Sequence, residues 1–219
     1  MRIADRELSR ETGLARLRRY ASKYPDTIRF YDLAGDPDAR PGPDGAAEPV
    51  NEVTLADLGR LVVINGNLRA DDIGKLMDVR PAHEFEAVPP TAQLEQCRPG
   101  SELYAAATAL YEKYRFKHGS NIGRAKRSKL LHIKRPWLVP ILDEPVWHMY
   151  RSRAQHYAKM LGLDDGSWEV VREDLCEGAD DLAWLAARLL ADGDPHVRRL
   201  GRLTKLRLLD ILAWTAARM

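Results

Sequence analysis

For most of its length the chain repeats apolar positions with the 3.6-residue period of an α-helix. Residues 4–23 carry Leu8, Leu14, Leu17 and Tyr20 with arginines between them, which predicts an amphipathic helix. From Thr54, a predicted N-cap, a second apolar face runs through Leu55, Leu58, Leu61, Val62 and Ile64. The same signal predicts helices over 70–79, over 89–96 behind two prolines, and from Ser101 through Tyr114. Others follow over 124–133, 143–162, 167–175, 179–191 and 203–218, each bounded by glycine or proline. The last reads LTKLRLLDILAWTAARM, apolar around much of its circumference, so it is expected to be buried and structural. TIRFYDLAG (27–35) differs: its β-branched and aromatic residues ending at a glycine match a strand or an extended arm. The expected fold is predominantly all-α, one helical two-lobe domain over 1–219 with room for one short N-terminal strand.

Residues 35–49 break the pattern, with four prolines and three glycines in fifteen positions. Such a segment buries too little surface to offset chain entropy, so a flexible Pro/Gly-rich loop is expected. No run approaches the roughly 18 apolar residues of a membrane span. The N-terminal segment is charged throughout, without the apolar core of an export signal. Cys97 and Cys176 are far apart and match no zinc spacing, which favours free thiols in a reducing compartment, the cytoplasm.

Formal charge is only +2, but it is unevenly placed. KYRFKHGSNIGRAKRSKLLHIKR (113–135) holds nine Lys or Arg, two His and no acid, so the rest of the chain is net acidic. A local patch of one sign attracts polyanions. Its shape predicts a helix-hairpin-helix: a helix ends near Phe116, a turn follows, and a new helix opens at Arg124. Asn121 and Gly123 of the Asn121-Ile122-Gly123 turn can take positive φ. The next helix N-terminus then offers free amides and a positive dipole end to a phosphate, surrounded by Arg124, Lys126, Arg127 and Lys129. That is a grip on duplex DNA backbone, not a reader of bases. The competing expectation is a solvated turn between core helices, the usual fate of charge runs.

The residues that follow, KLLHIKRPWLVPILDEPVWHMY (129–150), give an apolar helix end, an Arg-Pro step, a short extended connector, and Asp143 opening another helix. Here the chain resembles the helix-hairpin-helix DNA glycosylase superfamily over about residues 117–150. Within it, the 8-oxoguanine glycosylases are most similar, with two connector prolines placed like Pro136 and Pro140 and a Trp-His pair like Trp147-His148. The resemblance implies a DNA-repair hydrolase with Asp143 as its catalytic carboxylate, and a hairpin of Asn121, Ile122 and Gly123 on the DNA. Asn121 replaces the first hairpin glycine. Ala125 falls where bifunctional members carry a lysine, so at most a monofunctional activity is implied. KLLHIKRPWLVPILD also resembles the signature of an uncharacterised family of bacterial proteins, which brings no function.

Glycosidic cleavage passes through an oxocarbenium-like state that a carboxylate stabilises, and the helix dipole favours negative charge at Asp143. Capping alone also accounts for Asp143, since Asp143-Glu144-Pro145 is a good helix start. Trp147 and His148 are candidates for a base pocket, or core anchors like Trp137 and His132. His118, His132 and His148 lack carboxylate or thiolate partners at ligand spacing, so neither metal nor cofactor is expected. Three functions stand open: a base-excision enzyme on DNA, a non-catalytic nucleic-acid-binding module, and an enzyme on a nucleoside or other small anionic metabolite. The oligomeric state is left open.

Overall fold

The computed structural model describes residues 1–33, 50–64, 66–116 and 120–218. Among them twelve helices surround one continuous apolar core, and the only sheet is a two-stranded hairpin, β1 (Arg2–Ile3) and β2 (Arg6–Glu7), antiparallel with Arg2 opposite Glu7. Ala4 makes the tight turn at a φ of 52°. It is held there because Asp174 accepts its N–H at 2.6 Å and Arg153 donates to its carbonyl at 2.7 Å. Helix α1 (Arg10–Lys23) therefore begins later than its periodicity suggests, at the Ser9 cap.

After α1, the short α2 (Pro25–Thr27) runs into one π-helical turn, Ile28–Asp32. The strand expected over 27–35 is thus helical as far as Asp32. Tertiary contacts override β-propensity here. Ile28 and Tyr31 are buried, Tyr31 Oη donates to the Lys129 carbonyl at 2.8 Å, and Asp32 accepts from Arg207 Nε at 2.7 Å. The loop expected at 35–49 lies outside the described residues.

Helix α3 (Leu55–Val63) opens on the expected Thr54 cap, which forms a reciprocal box: Thr54 Oγ1 accepts from Asp57 N at 3.3 Å and Asp57 Oδ2 from Thr54 N at 2.7 Å. α4 (Ala70–Asp78) and a five-residue α5 (Ala82–Glu86) follow. Residues 89–96 form only turns and a 3₁₀ segment, Leu94–Gln96, because Leu94 N donates across the fold to the Trp137 carbonyl at 3.0 Å. α6 (Glu102–Lys113) starts at Ser101, as its capping oxygen predicts.

Then come α7 (Arg124–Lys134), α8 (Glu144–Leu161), α9 (Ser167–Glu177), α10 (Ala179–Leu190), α11 (Pro195–Leu200) and α12 (Lys205–Ala217). Gly162, at a φ of +67°, ends α8 in the left-handed conformation that only glycine adopts freely. A Cβ at Gly166 would sit 2.3 Å from the Ala154 carbonyl, so its bare backbone lets α9 pack tightly on α8. α12 is the central strut, in contact with α1, α8, α9 and α10. Seven of its apolar residues are buried, and each large one contributes about 1.5–3 kcal/mol by leaving water. Among the described residues, no helix is long and apolar enough to cross a membrane.

Candidate functional site

The segment Lys129–Asp143 is folded by its own polar side chains. Arg135 is 0% exposed and, among the described residues, pairs with no carboxylate. Instead it donates to the carbonyls of Val88, Val50, Lys134 and Phe85 and to Asn51 Oδ1, all at 2.7–2.8 Å, with the Phe85 ring 4.8 Å from its guanidinium. One guanidinium thereby ties the end of α7 to α5 and to the chain before α3. Burial lowers its pKa to about 10, which leaves it charged at neutral pH. Beside it, Lys134 and Asp57 form a buried ion pair at 2.6 Å.

The connector beyond Arg135 is clamped from both sides. Thr204 Oγ1 donates to the Pro136 carbonyl at 3.0 Å. Asp210 Oδ2 accepts from Ile141 N at 3.2 Å, and Ser128 Oγ accepts from Leu142 N at 3.1 Å. Asp143 is therefore delivered to a fixed place at the head of α8. There its Oδ1 accepts from Val146 N at 3.3 Å, the cap that Asp143-Glu144-Pro145 predicts. Its second oxygen accepts no hydrogen bond among the described residues.

Asp143 opens into a cavity of about 290 Å³, at the small end of ligand-binding sites. α1 and the residues after it supply Tyr20 and Tyr24, α7 supplies Lys129, and α12 with its C-terminal residue supplies Arg207, Asp210, Trp214 and Arg218. The Tyr20, Tyr24 and Trp214 rings form one aromatic wall, with centroids 5.1, 6.0 and 5.5 Å apart pairwise. The Arg218 guanidinium lies 4.1 Å from the Trp214 centroid. Lys129 Nζ donates to the Ile64 carbonyl at 2.8 Å, leaving ammonium donors for a ligand.

Burial shapes the ionisation of this cavity. It lowers the Lys129 pKa, while the charge of Asp143 acts in the opposite sense. It pushes Tyr20 up to about 12. It raises Asp210 well above the usual carboxylate range; the charges of Asp143 and Asp32 reinforce the rise, and Arg207 and the Ile141 N–H oppose it. His132, buried behind Asp210, is pushed down to about 3 and stays neutral. Its Nδ1 is 2.7 Å from the Val139 carbonyl, so Nδ1 carries the proton, and its 3.9 Å approach to Asp210 is not an ion pair.

The other expected site residues are placed differently. Asn121 and Gly123 do not take positive φ; Gly123 is extended, with φ −88° and ψ −172°. Asn121 instead donates to Asp72 at 2.7 Å, and Ile122 enters the core. Arg124 pairs with Asp165 at 3.2 Å, Lys126 with Asp72 at 3.3 Å and Arg127 with Glu112 at 3.6 Å. Lys129 points the other way, into the cavity. Trp147 and His148 do not line it: Trp147 lies between Arg124 and Arg151, and His148 is exposed over the Glu144 carbonyl. Lys117, His118 and Gly119 lie outside the described residues. Among those described, no group of three His, Cys, Asp or Glu is placed to hold a metal ion.

The terminal helices' share of the cavity was not anticipated. A signal was present: Arg207 and Asp210 are the only charges in LRLLDILAW (206–214), three residues apart in an otherwise apolar run. Two buried charges on one helix need partners or a cavity.

The class the described residues define is a predominantly helical protein with a carboxylate, a lysine and an aromatic wall around one small cavity. Residues 16–217 match DUF6308, a family of unknown function, and the chain belongs to that family. No curated protein and no solved structure matches it.

Proposed function

We propose that this cavity cleaves the N-glycosidic bond of a nucleoside or nucleoside monophosphate. The observation that carries the reading is Asp143, whose carboxylate caps α8 with one oxygen and opens with the other into a cavity shared with Lys129 and three aromatic rings. Tyr20, Tyr24 and Trp214 offer faces for a planar base. Lys129 and Arg218 suit a sugar hydroxyl or a phosphate. Asp143 would face the sugar, where positive charge develops as the base departs. The resemblance of residues 117–150 to DNA glycosylases points to the same bond and the same carboxylate. Two free thiols, Cys97 buried and Cys176 exposed, support a reducing cytoplasmic setting.

A second reading, removal of a base extruded from duplex DNA, is favoured by one observation. The first turn of α7 has no side-chain cap and Gly123 has open space around it, so a phosphate can reach its amides. Against it, Arg124, Lys126 and Arg127 already face acids of the same chain.

The test is base release by parent and Asp143→Asn from nucleosides, their monophosphates, and duplexes carrying deaminated, oxidised or alkylated bases. Release from the small substrates, reduced about a hundred-fold or more in the variant with an unfolding cost under about 1 kcal/mol, is expected. Release from duplexes alone moves the assignment to the second reading. No release from any substrate removes the enzyme reading, and equal activity of the two proteins leaves Asp143 as a cap.

A further inference from the structure

Glycosidic cleavage has a second requirement, separate from stabilising the sugar. An ordinary nucleobase is a poor leaving group unless its departing ring system gains a proton as the bond breaks. A group that supplies it must hold a proton at working pH and must reach the cavity.

Asp210 is placed for that task. It lines the same cavity as Asp143 yet is only 4% exposed. Its Oδ2 accepts from Ile141 N at 3.2 Å; its other oxygen receives no hydrogen bond among the described residues. Arg207, whose charge opposes that protonation, donates its hydrogen bond to Asp32 Oδ1 at 2.7 Å and not to Asp210. The remaining groups facing it favour a protonated acid or leave it untouched: Asp143 and Asp32 are negative, His132 is neutral, and Tyr150 is a buried phenol. Two carboxylates in one cavity, one on a helix N-terminus and one buried within the apolar helix α12, are the arrangement that separates a base from an acid.

We propose that Asp210 donates the proton to the leaving base, acting in the cavity it shares with Asp143. The assignment rests on the N-glycosidic reading above. As the C1′–N bond breaks, its electron pair passes to the base nitrogen, the Asp210 proton neutralises the departing ring, and water adds at C1′. Asp143 takes the proton lost by that water and releases it to solvent, and solvent returns one proton to Asp210. The net change is nucleoside plus water to sugar plus base.

Leaving groups provide the test. An unmodified purine nucleoside needs protonation, whereas its N7-methylated form leaves as a neutral ring and a 4-nitrophenyl riboside leaves as a stable phenolate. Asp210→Asn is expected to lose about a hundred-fold or more in kcat/KM on the unmodified nucleoside. It should keep most of its activity on the two activated substrates, while Asp143→Asn loses activity on all three. Equal losses of Asp210→Asn on every substrate, or none on any, overturn the assignment. Should that variant not fold, the parent alone decides. Its rate on the unmodified nucleoside must fall on the alkaline side as Asp210 deprotonates, with no such limb for the nitrophenyl riboside. Identical profiles overturn the proposal while the glycosidic reading survives. A parent that cleaves none of the three removes both.

Discussion

The two halves of α7 carry almost the same density of positive charge and use it in opposite ways. In the first half, Arg124 and Arg127 meet the partly exposed Asp165 and Glu112, and Lys126 meets the buried Asp72. In the second half and at its C-cap, Lys129, Lys134 and Arg135 are buried, and among the described residues only Lys134 of these three pairs with an acid at ion-pair distance. The described part of the acid-free run 113–135 therefore does not form a bare cationic surface: acids from the rest of the chain pack onto it. Lys113 and Arg115 follow suit with Glu84 and Glu112. A charge count along the sequence thus measures what must be neutralised in the fold, and only secondarily what is offered to a partner.

The strongest test of the contrast is Arg135→Met. Methionine fills similar space but takes the guanidinium donor from four carbonyls and Asn51; Phe85 keeps the Val88 N–H and Val50 is exposed, so the cost of about 1–3 kcal/mol per orphaned buried group falls mainly on the Val88 and Lys134 carbonyls. A loss of at least about 3 kcal/mol is expected from the denaturant midpoint. Arg135→Lys should recover little, since an ammonium has too few donors to reach all five acceptors. A loss below about 1 kcal/mol for Arg135→Met would show that the hub is replaceable by packing.

His132 sharpens the comparison through pH. Its pKa in the fold is about 3, below the unfolded value near 6.5. On acidification the unfolded chain binds the proton first, so stability is fully present above about pH 6.5 and drains away as pH falls toward 3. The slope is about 1.4 kcal/mol per pH unit, or about 2 kcal/mol by pH 5, from this residue alone. Urea denaturation of parent and His132→Gln across that window should give converging stabilities as pH falls. Parallel curves would place His132 in contact with solvent.

Ser128→Ala should cost less, about 1–2 kcal/mol, by leaving the buried Leu142 N–H without its acceptor. Its value lies in what else moves. Leu142 precedes Asp143, so the variant should lose base-releasing activity beyond its loss of stability, as a displaced carboxylate predicts. Full activity in a destabilised Ser128→Ala protein would show that the connector clamp does not position Asp143.

What could be read from the sequence follows the range of the forces involved. Caps are local, so Thr54, Ser101 and Asp143 were all legible from one or two neighbouring residues. The strand expected at 27–35 failed because Tyr31 and Asp32 are organised by Lys129 and Arg207, about 100 and 175 residues away. The hairpin turn failed more subtly. Asn121 can adopt positive φ, yet Asp72, from a helix whose proximity no local pattern announces, holds its side chain in another conformation. Of the cavity, Asp143 is legible as a candidate carboxylate, whereas Lys129 is expected on a DNA phosphate and lines the cavity instead. Much of the rest comes from α1 and α12, whose apolar periodicity hides Tyr20, Arg207 and Asp210 among ordinary core positions.

The smallest expected effect belongs to Arg124, and it decides between the two uses of α7 most directly. Its pairing with Asp165 at 3.2 Å joins two partly exposed groups, a kind of contact that contributes about 0–1 kcal/mol. Its stacking on Trp147 at 4.6 Å is shared with Arg151, which remains when Arg124 is removed. Arg124→Ala should therefore shift the unfolding free energy by under about 1 kcal/mol and leave nucleoside cleavage unchanged. Duplex affinity is the discriminating readout. A phosphate contact made by Arg124 would reduce the dependence of log K on log salt by about one unit when the side chain is lost. With the guanidinium committed to Asp165 and Trp147, we expect the same slope for both proteins, measured by fluorescence anisotropy on a random-sequence duplex. A drop of about one unit would mean that DNA displaces Asp165 from Arg124, and that the first half of α7 is a nucleic-acid surface held closed by its own acids.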